Sequence, residues 1–185
     1  AGLAARNSRR DAPYGEPRYT DVIRDNLIDI RPDGSFRLNM DFFGYLDSDR
    51  MTNENFESLF GGPPRRPESR ITTREMDLAA SIQKVTEEVV LKVGRHLRGL
   101  TGMNELVMAG GVALNCVANG LLVRERIFDR VWIQPAAGDA GGSLGAALLL
   151  SHHHFGVQRR LEPSGRDSQH GSFIGSAAVV VLSDQ

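Results

Sequence analysis

The sequence predicts an α/β protein with a parallel sheet, because a strand–turn–helix pattern occurs twice in succession. In each unit, a short apolar segment leads through a glycine-containing turn into a helical segment. Successive strands that alternate with helices are typical of an α/β layer, in which the strands run parallel. The predicted elements are a buried strand over 105–109 (ELVMA), a turn at Gly110-Gly111, a helix over 112–125, a strand over 130–134 (RVWIQ), a loop over 135–142 and a helix over 143–151.

The segment before these units predicts a short helix and a hairpin. Asp21–Ile30 carries apolar residues at helical spacing, and RPDGSF at 31–36 contains turn-forming residues. Apolar residues alternate over 36–42, which predicts a strand or hairpin arm. The prolines of 61–70 (GGPPRRPESR) indicate a polar loop.

A long amphipathic helix is predicted to begin after Thr72 and to end near Arg98. Thr72 and Glu75 have the spacing of a capping box. Gly99 and Gly102 then supply turn residues. The apolar positions of the helix predict one buried stripe, which consists of Leu78, Ile82, Val85, Val89 and Val93.

The chain is predicted to divide into three parts. These are an irregular lead-in over 1–20, a main domain over 21–155 and a divergent C-terminal tail over 156–185. Within the tail, 177–182 (AAVVVL) reads as a strand without an obvious partner.

Composition restricts the functional classes. The chain has 185 residues and a formal charge of −1, which gives no basis for binding nucleic acid or an acidic membrane surface. Its apolar runs are too short to cross a bilayer, and its single cysteine excludes an intrachain disulfide. We therefore expect a soluble, cytoplasmic protein.

The glycine pairs Gly110-Gly111 and Gly141-Gly142, together with Gly138, have two interpretations. Glycine between a strand and a helix can serve close packing, or it can let a ligand reach the free N–H groups of a helix terminus. Such loops lie at the carboxyl ends of strands, where open α/β sheets bind ligands. Neither segment matches a Walker or dinucleotide motif, so the residues alone leave both interpretations open.

Three polar residues near the glycines are candidate ligand contacts. Asp139, in AAGDAGG, is either a metal ligand or the N-cap of the next helix, and the residues alone favour the cap. Asn115, expected one turn into the first helix, could contact a ribose, base or phosphate, or make a buried hydrogen bond. Asn119 lies four residues on and could take either part from the same helical face.

The histidine run and the cysteine are weaker candidates. Adjacent helical residues do not converge on one ion, so a contact with the helix C-terminus explains His152–His154 better than a metal does. No histidine lies near Cys116 in sequence, so we expect a small core residue rather than a nucleophile.

Four phrases make the sequence resemble a known family. The phrases are MAGGVALNCVANG at 108–120, FDRVWIQPAAGDAGGSLGAAL at 128–148, APYGEPRY at 12–19 and DLAASIQKVTEE at 77–88. They closely resemble the carbamoyltransferases of nodulation and antibiotic biosynthesis, a group that includes the nodulation-factor and tobramycin carbamoyltransferases. The resemblance covers roughly residues 12–155.

The resemblance implies a fold and a reaction. The first domain of the family is similar to the tRNA threonylcarbamoyladenosine synthesis enzymes and has the actin/Hsp70/sugar-kinase fold, a ribonuclease-H-like α/β architecture. This chain would be the second half of that domain. In the family, carbamoyl phosphate and ATP combine to a carbamoyl-adenylate. Its carbamoyl group then passes to a hydroxyl of a sugar, antibiotic or nodulation-type acceptor.

The same resemblance implies roles for the candidate residues. Asn115 is implied to contact the nucleotide. Asp139 is implied to bind a divalent metal (iron, or Mg, Mn or Zn), which reverses the preference for a cap. The glycines implied to admit the nucleotide are Gly110, Gly111, Gly138, Gly141 and Gly142.

The sequence also departs from the family pattern. The paired metal-binding histidines, spaced HxxxH, have no counterpart, since His96 stands alone and 152–154 has the wrong spacing. The large second domain of the family is also missing from this sequence. We therefore expect a fragment that needs the missing half of its domain or associates with itself. The alternative is an inactive remnant, or a nucleotide-binding module without transferase activity.

Overall fold

The computed structural model describes residues 15–158, so the predicted strand over 177–182 and most of the lead-in and tail lie outside the described residues. The described helices are α1 (Thr20–Asn26), α2 (Glu54–Leu59), α3 (Thr73–Thr101), α4 (Cys116–Arg124) and α5 (Gly141–Leu149). The described strands are β1 (Ile28–Ile30), β2 (Phe36–Leu38), β3 (Glu105–Met108) and β4 (Arg130–Ile133). No described helix is both long enough and apolar enough to cross a membrane.

The described residues form two compact units. The first unit contains 15–104 and Cys116–Arg130, and the second contains Glu105–Asn115 and 131–158. The predicted boundaries after residues 20 and 155 stay a prediction. The mixed α/β class is confirmed at the level of helices and small sheets.

The predicted helix over 21–30 is correct only in its first part. Helix α1 ends at Asn26, and β1 pairs antiparallel with β2, with Ile28 opposite Leu38. The predicted arm over 36–42 is a strand at its start, whereas its last three residues form a 3₁₀ turn.

The turn at 31–36 explains the change from helix to strand. Gly34 has φ +85°, and its N–H donates to the Arg31 carbonyl at 3.0 Å. The Arg31 N–H donates to the Ser35 carbonyl at 2.9 Å, which closes the hairpin. Because the hairpin gives the backbone of β1 a partner, a strand replaces the helical turn that periodicity alone predicted.

Helix α3 begins as predicted and ends at Thr101, slightly past its predicted end. The capping box is confirmed, since the Thr72 N–H donates to Glu75 Oε2 at 2.8 Å. Gly102 has φ +65° and terminates the helix in the left-handed conformation that glycine favours. Gly99, predicted as a turn residue, lies inside the helix instead.

The buried face of α3 differs from the predicted stripe. Val85 is buried, but Ile82 is 47% exposed and Val93 is 36% exposed. The buried residues are Asp77, Ala80, Ser81, Val85 and Gly94. At Gly94 a glycine lies inward because α4 approaches closely: a Cβ there would lie 2.8 Å from Leu122 Cδ2.

Strands β3 and β4 form a two-stranded sheet in the second unit. The Asn104 carbonyl, just before β3, accepts from the Asp129 N–H at 2.8 Å, and the Met108 carbonyl accepts from the Gln134 N–H at 3.4 Å. Because the partners advance together along the chain, the strands run parallel, as predicted. The predicted burial of β3 is wrong, since Val107 is 68% exposed. Two strands are too narrow a surface to bury such side chains by themselves.

Candidate functional site

The two glycine loops are joined by a backbone hydrogen bond. Gly110 lies shortly after β3, and its N–H donates to the carbonyl of Ala137, in the loop after β4, at 2.7 Å. Leu114 adds a contact, because a Cβ on Gly138 would lie 3.4 Å from its Cδ1. Since β3 and β4 run parallel, both loops leave the same edge of the sheet. The structure therefore brings the two loops into contact at Gly110 and Ala137.

Gly110 is required by its backbone conformation. It has φ +101° and ψ 165°, a combination that is essentially restricted to glycine. A Cβ at this position would meet nothing within 4 Å, so packing does not explain the glycine.

The other glycines divide between the two interpretations. A Cβ on Gly141 would overlap the Ala136 carbonyl oxygen, so this glycine serves the close packing of the loop after β4 against the residue that follows it. Cβ atoms on Gly111 or Gly142 would meet nothing within 4 Å, so the surface beside them is open.

The two loops also differ in their free N–H groups. Within residues 15–158, the amides of Gly111 and Val112 donate no hydrogen bond. In the second loop, the Gly141 N–H donates to the Gly138 carbonyl at 3.1 Å, and the Gly142 N–H donates to the Asp139 carbonyl at 3.2 Å. The first loop therefore offers free amides at Gly111 and Val112, whereas both amides of the Gly141-Gly142 pair are occupied.

Both helices begin at other residues than predicted. The first predicted helix, over 112–125, is a 3₁₀ turn at Gly111–Leu114 followed by α4. The second predicted helix, over 143–151, begins two residues earlier, so Gly141 and Gly142 form the first turn of α5 instead of belonging to a loop.

Asn115 lies between the 3₁₀ turn and α4, and not inside a helix as predicted. Its φ of −74° and ψ of 89° are not helical, and its N–H donates to the Val112 carbonyl at 2.9 Å. Asn119 is half-buried within α4. Because Asn115 is outside the helix, the predicted shared helical face of the two asparagines is wrong.

Asp139 is exposed and does not cap α5. Ala140 occupies the N-cap position, and no side chain accepts a hydrogen bond from that helix terminus. The capping interpretation is therefore wrong. Across 15–158, no three His, Cys, Asp or Glu residues come together as metal ligands would. The metal role of Asp139 stays a prediction.

The structure places both Cys116 and the histidine run at the ends of helices. Cys116 is exposed at the start of α4, so its predicted place in the core is wrong. The helix buries Ala118 and Leu122 instead. His152–His154 lie in a π-helical turn that continues α5, and the His152 Nδ1 donates to the Val157 carbonyl at 2.7 Å.

Sequence reasoning missed a buried polar pair on α3. Asp77 is 4% exposed and Ser81 is fully buried. Asp77 Oδ1 accepts from the Glu16 N–H at 2.7 Å, and Ser81 Oγ accepts from the Tyr19 N–H at 3.0 Å. The pair thus attaches the segment that contains Glu16 and Tyr19 to the helix, so two of the recognised phrases lie in contact. Their spacing of four residues, in line with Val85, is the signal that could have found them.

A large pocket lies in the first unit and does not include the glycine loops. It has a volume of about 770 Å³ and is lined by residues from α1, the hairpin and the following turn, with Glu88 of α3. Glu88 accepts from Lys92 at 2.8 Å and from Arg24 at 2.6 Å, and these cations hold the pKa of its carboxyl below the usual value. The charges of Arg24 and Glu88 therefore compensate each other at the wall of this pocket.

Comparison with known proteins identifies the family. The sequence model described as "Carbamoyltransferase N-terminus" matches residues 9–148. This chain belongs to the carbamoyltransferase family. The match includes both glycine loops and the segment that Asp77 and Ser81 hold.

Three relatives are similar in sequence to this chain. The uncharacterized protein sll1178 of Synechocystis is 55% identical over 164 residues, which are 89% of this chain and 26% of the relative. The nodulation proteins NolNO of Sinorhizobium fredii and NolO of Bradyrhizobium diazoefficiens are each 38% identical over 141 residues, or 76% of this chain. Those residues are 19% and 24% of the two proteins, so the chain spans about a quarter of its relatives or less. The predicted resemblance to nodulation-type carbamoyltransferases is confirmed.

Proposed function

We propose that this chain is the nucleotide-binding part of a carbamoyltransferase that uses ATP and carbamoyl phosphate. A carbamoyl-adenylate would carry the carbamoyl group to a hydroxyl of a sugar, antibiotic or nodulation-type acceptor. The fold would be half of an actin-like domain, with the rest of a longer protein supplying the other half. Family membership supports the reaction, and the parallel strands β3 and β4, each followed by a glycine loop and a helix, support the fold.

The free amides of Gly111 and Val112 carry the proposal of nucleotide binding. Consecutive N–H groups at a glycine turn form a concave donor surface that suits phosphate oxygens. The positive φ of Gly110 turns the chain at this point, and the open space beside Gly111 lets a ligand approach. Asn115 follows directly and would bind the ribose, base or phosphate through its carboxamide.

Asp139 alone does not fit a metal centre, because the described residues supply no second and third ligand beside it. We assign no step of the reaction to a metal. We propose that Asp139 occupies one ligand position of a divalent site, whose other ligands would be phosphate oxygens of the nucleotide, water and groups of the longer protein. A cation there would also offset the repulsion between this carboxylate and a nearby phosphate.

Calorimetric titration of the full chain with ATP tests the proposal, with Mg²⁺ and without it. We expect saturable binding that Asn115→Ala weakens about tenfold, the effect of losing a ligand hydrogen bond. Asp139→Ala should remove the dependence of ATP affinity on Mg²⁺. Asp49→Ala, at an exposed loop position, is the control and should leave ATP affinity unchanged. A folded chain that binds no ATP would contradict the proposal.

A test of carbamoyl transfer requires a longer protein that contains this chain. In a chimera, this chain replaces the matching quarter of the Synechocystis relative, to which it is 55% identical. We expect the chimera to consume ATP only when carbamoyl phosphate is present. If the intact Synechocystis relative consumes ATP under the same conditions, a folded chimera that binds ATP but never consumes it would indicate a nucleotide-binding module without transferase activity.

A further inference from the structure

Strands β3 and β4 expose one face of their sheet within the described residues. Side chains along both strands alternate between exposed and half-buried, and Met108 and Ile133 lie on the half-buried face. On the other face, Val107 is 68% exposed and Trp132 is 44% exposed. Such alternation is usual in antiparallel sheets, whereas parallel strands are generally buried on both faces. Because this sheet is parallel, its exposed face is one that is normally covered.

The hydrogen bonds of the sheet set Val107 and Trp132 side by side. The Gln134 N–H donates to the Met108 carbonyl at 3.4 Å, which fixes the offset between the two strands. In a parallel ladder with this offset, Trp132 is the partner of Val107 on the neighbouring strand. Partners on neighbouring strands point to the same face, so the exposed face carries a continuous apolar surface of one isopropyl group and one indole ring.

We propose that an amphipathic helix from the remaining polypeptide of the longer protein packs on Val107 and Trp132. Helices are the usual cover of parallel sheets, which favours a helix over a second copy of this sheet. One helix suffices, because a helix is about 10 Å wide and neighbouring strands lie about 4.8 Å apart. The chain spans 26% of its Synechocystis relative, so the rest of such a protein is long enough to supply the helix. The inference rests on the part of the proposed function that places this chain in a longer protein, and it does not depend on nucleotide binding.

Cysteine labelling compares the isolated chain with the chimera in which it replaces the matching quarter of the Synechocystis relative. Val107→Cys and the control Leu46→Cys, at a 77% exposed leucine of the first unit, are each combined with Cys116→Ser, because Cys116 is exposed. In the isolated chain, diluted until it is monomeric, N-ethylmaleimide should react readily with Val107→Cys. In the chimera this reaction should be slower by about tenfold or more, because the thiol reacts only when the helix opens. Leu46→Cys should react at the same rate in both proteins.

Equal rates for Val107→Cys in the two proteins would overturn the proposal. Fast reaction in both would mean that no polypeptide covers the face, and slow reaction in both would mean that this chain covers it by itself. Trp132→Cys, on the same face, should repeat the Val107→Cys result, which excludes a local effect of one substitution.

Photochemical crosslinking identifies what covers the face. A benzophenone–maleimide is attached to Val107→Cys in the chimera, and the crosslinked peptides are located by mass spectrometry. We expect crosslinks to a segment outside this chain whose apolar residues recur three and four positions apart. Crosslinks only to this chain, or to a second chimera molecule, would overturn the proposal. ATP titrated into the same chimera tests the proposed function separately.

Discussion

Gly110 holds a backbone conformation that other residues adopt only with strain, at φ +101° and ψ 165°. Gly110→Ala should therefore lower the free energy of unfolding by about 1–3 kcal/mol, although the added Cβ meets no atom within 4 Å. Urea unfolding followed through Trp132, the single tryptophan, reports on this unit.

Gly111→Ala is the matched control, because the neighbouring glycine has the same open space without a positive φ. It should change the free energy of unfolding by less than about 0.5 kcal/mol. Equal losses in both variants would show that the turn is constrained by packing and not by the conformation of Gly110.

Asp77 is the residue that holds the segment before α1. Its carboxylate is buried, accepts the Glu16 N–H, and lies 3.6 Å from Arg18 Nε. Asp77→Ala should cost about 1–3 kcal/mol of unfolding free energy, because the Glu16 N–H loses its acceptor. Chemical denaturation followed by circular dichroism measures the loss. Asp47→Ala, at an exposed position, should be neutral, and a neutral Asp77→Ala would contradict the attachment.

At the scale of the element, the N-terminus of α3 makes stability depend on pH. The Thr72 hydroxyl and N–H donate to Glu75, and with a smaller effect of Arg74 they lower the pKa of its carboxyl from 4.5 to about 2. A lowered pKa means stabilisation that is complete above the unfolded value and is lost as the pH falls toward 2. Glu75→Ala should therefore lower the melting temperature fully at neutral pH, and the difference from wild type should shrink between pH 4.5 and 2.

Thermal unfolding over that pH range checks the prediction. Glu68→Ala, at an exposed loop position, should differ from wild type by the same small amount at every pH. A Glu75→Ala difference that stays constant down to pH 2 would show that the carboxylate does not stabilise the helix terminus.

Elements fixed by neighbours in sequence were predictable, and elements fixed by distant contacts were not. Helix α3 follows from a local capping box and a local periodicity. Periodicity predicts a helix that continues to Ile30, whereas α1 ends at Asn26 because β1 pairs with β2 across a turn. The buried stripe of α3 differs from the predicted one because distant segments select its residues: α4 approaches closely at Gly94, and 16–20 is bonded to Asp77 and Ser81.

The candidate site shows the same limit. Sequence reasoning located both glycine loops and placed them at the carboxyl ends of parallel strands, so their meeting was predictable. Sequence reasoning did not distinguish the roles of Gly110 and Gly141, because both were predicted to precede a helix. The backbone conformation requires glycine at position 110, whereas close packing requires it at position 141. The exposed face of the β3–β4 sheet was not predicted, because ELVMA reads as a buried strand and the exposure of Val107 is visible only in three dimensions.

At the scale of the whole molecule, the second unit exposes much apolar surface. Its buried hydrophobic residues are the alanines Ala113 and Ala137. Several large side chains of this unit are more than half exposed, namely Val107, Val112, Leu114, Leu149, Leu150, Phe155 and Val157. Exposed apolar surface on this scale marks an interaction site or an association hazard. Because the chain spans 26% of its Synechocystis relative, we propose that further polypeptide covers this surface in the longer protein.

The isolated chain should then associate with itself. Sedimentation velocity over a range of concentrations should show species larger than the 20.3 kDa monomer. The double variant Val107→Lys/Leu149→Lys should shift the distribution to monomer, since each lysine places a charge on apolar surface of the second unit. Leu46→Lys adds a charge at a 77% exposed leucine of the first unit and should leave association unchanged. If both variants restore the monomer equally, net charge and not the surface of the second unit controls association. A wild-type chain that stays monomeric would mean that these side chains are covered within the chain itself.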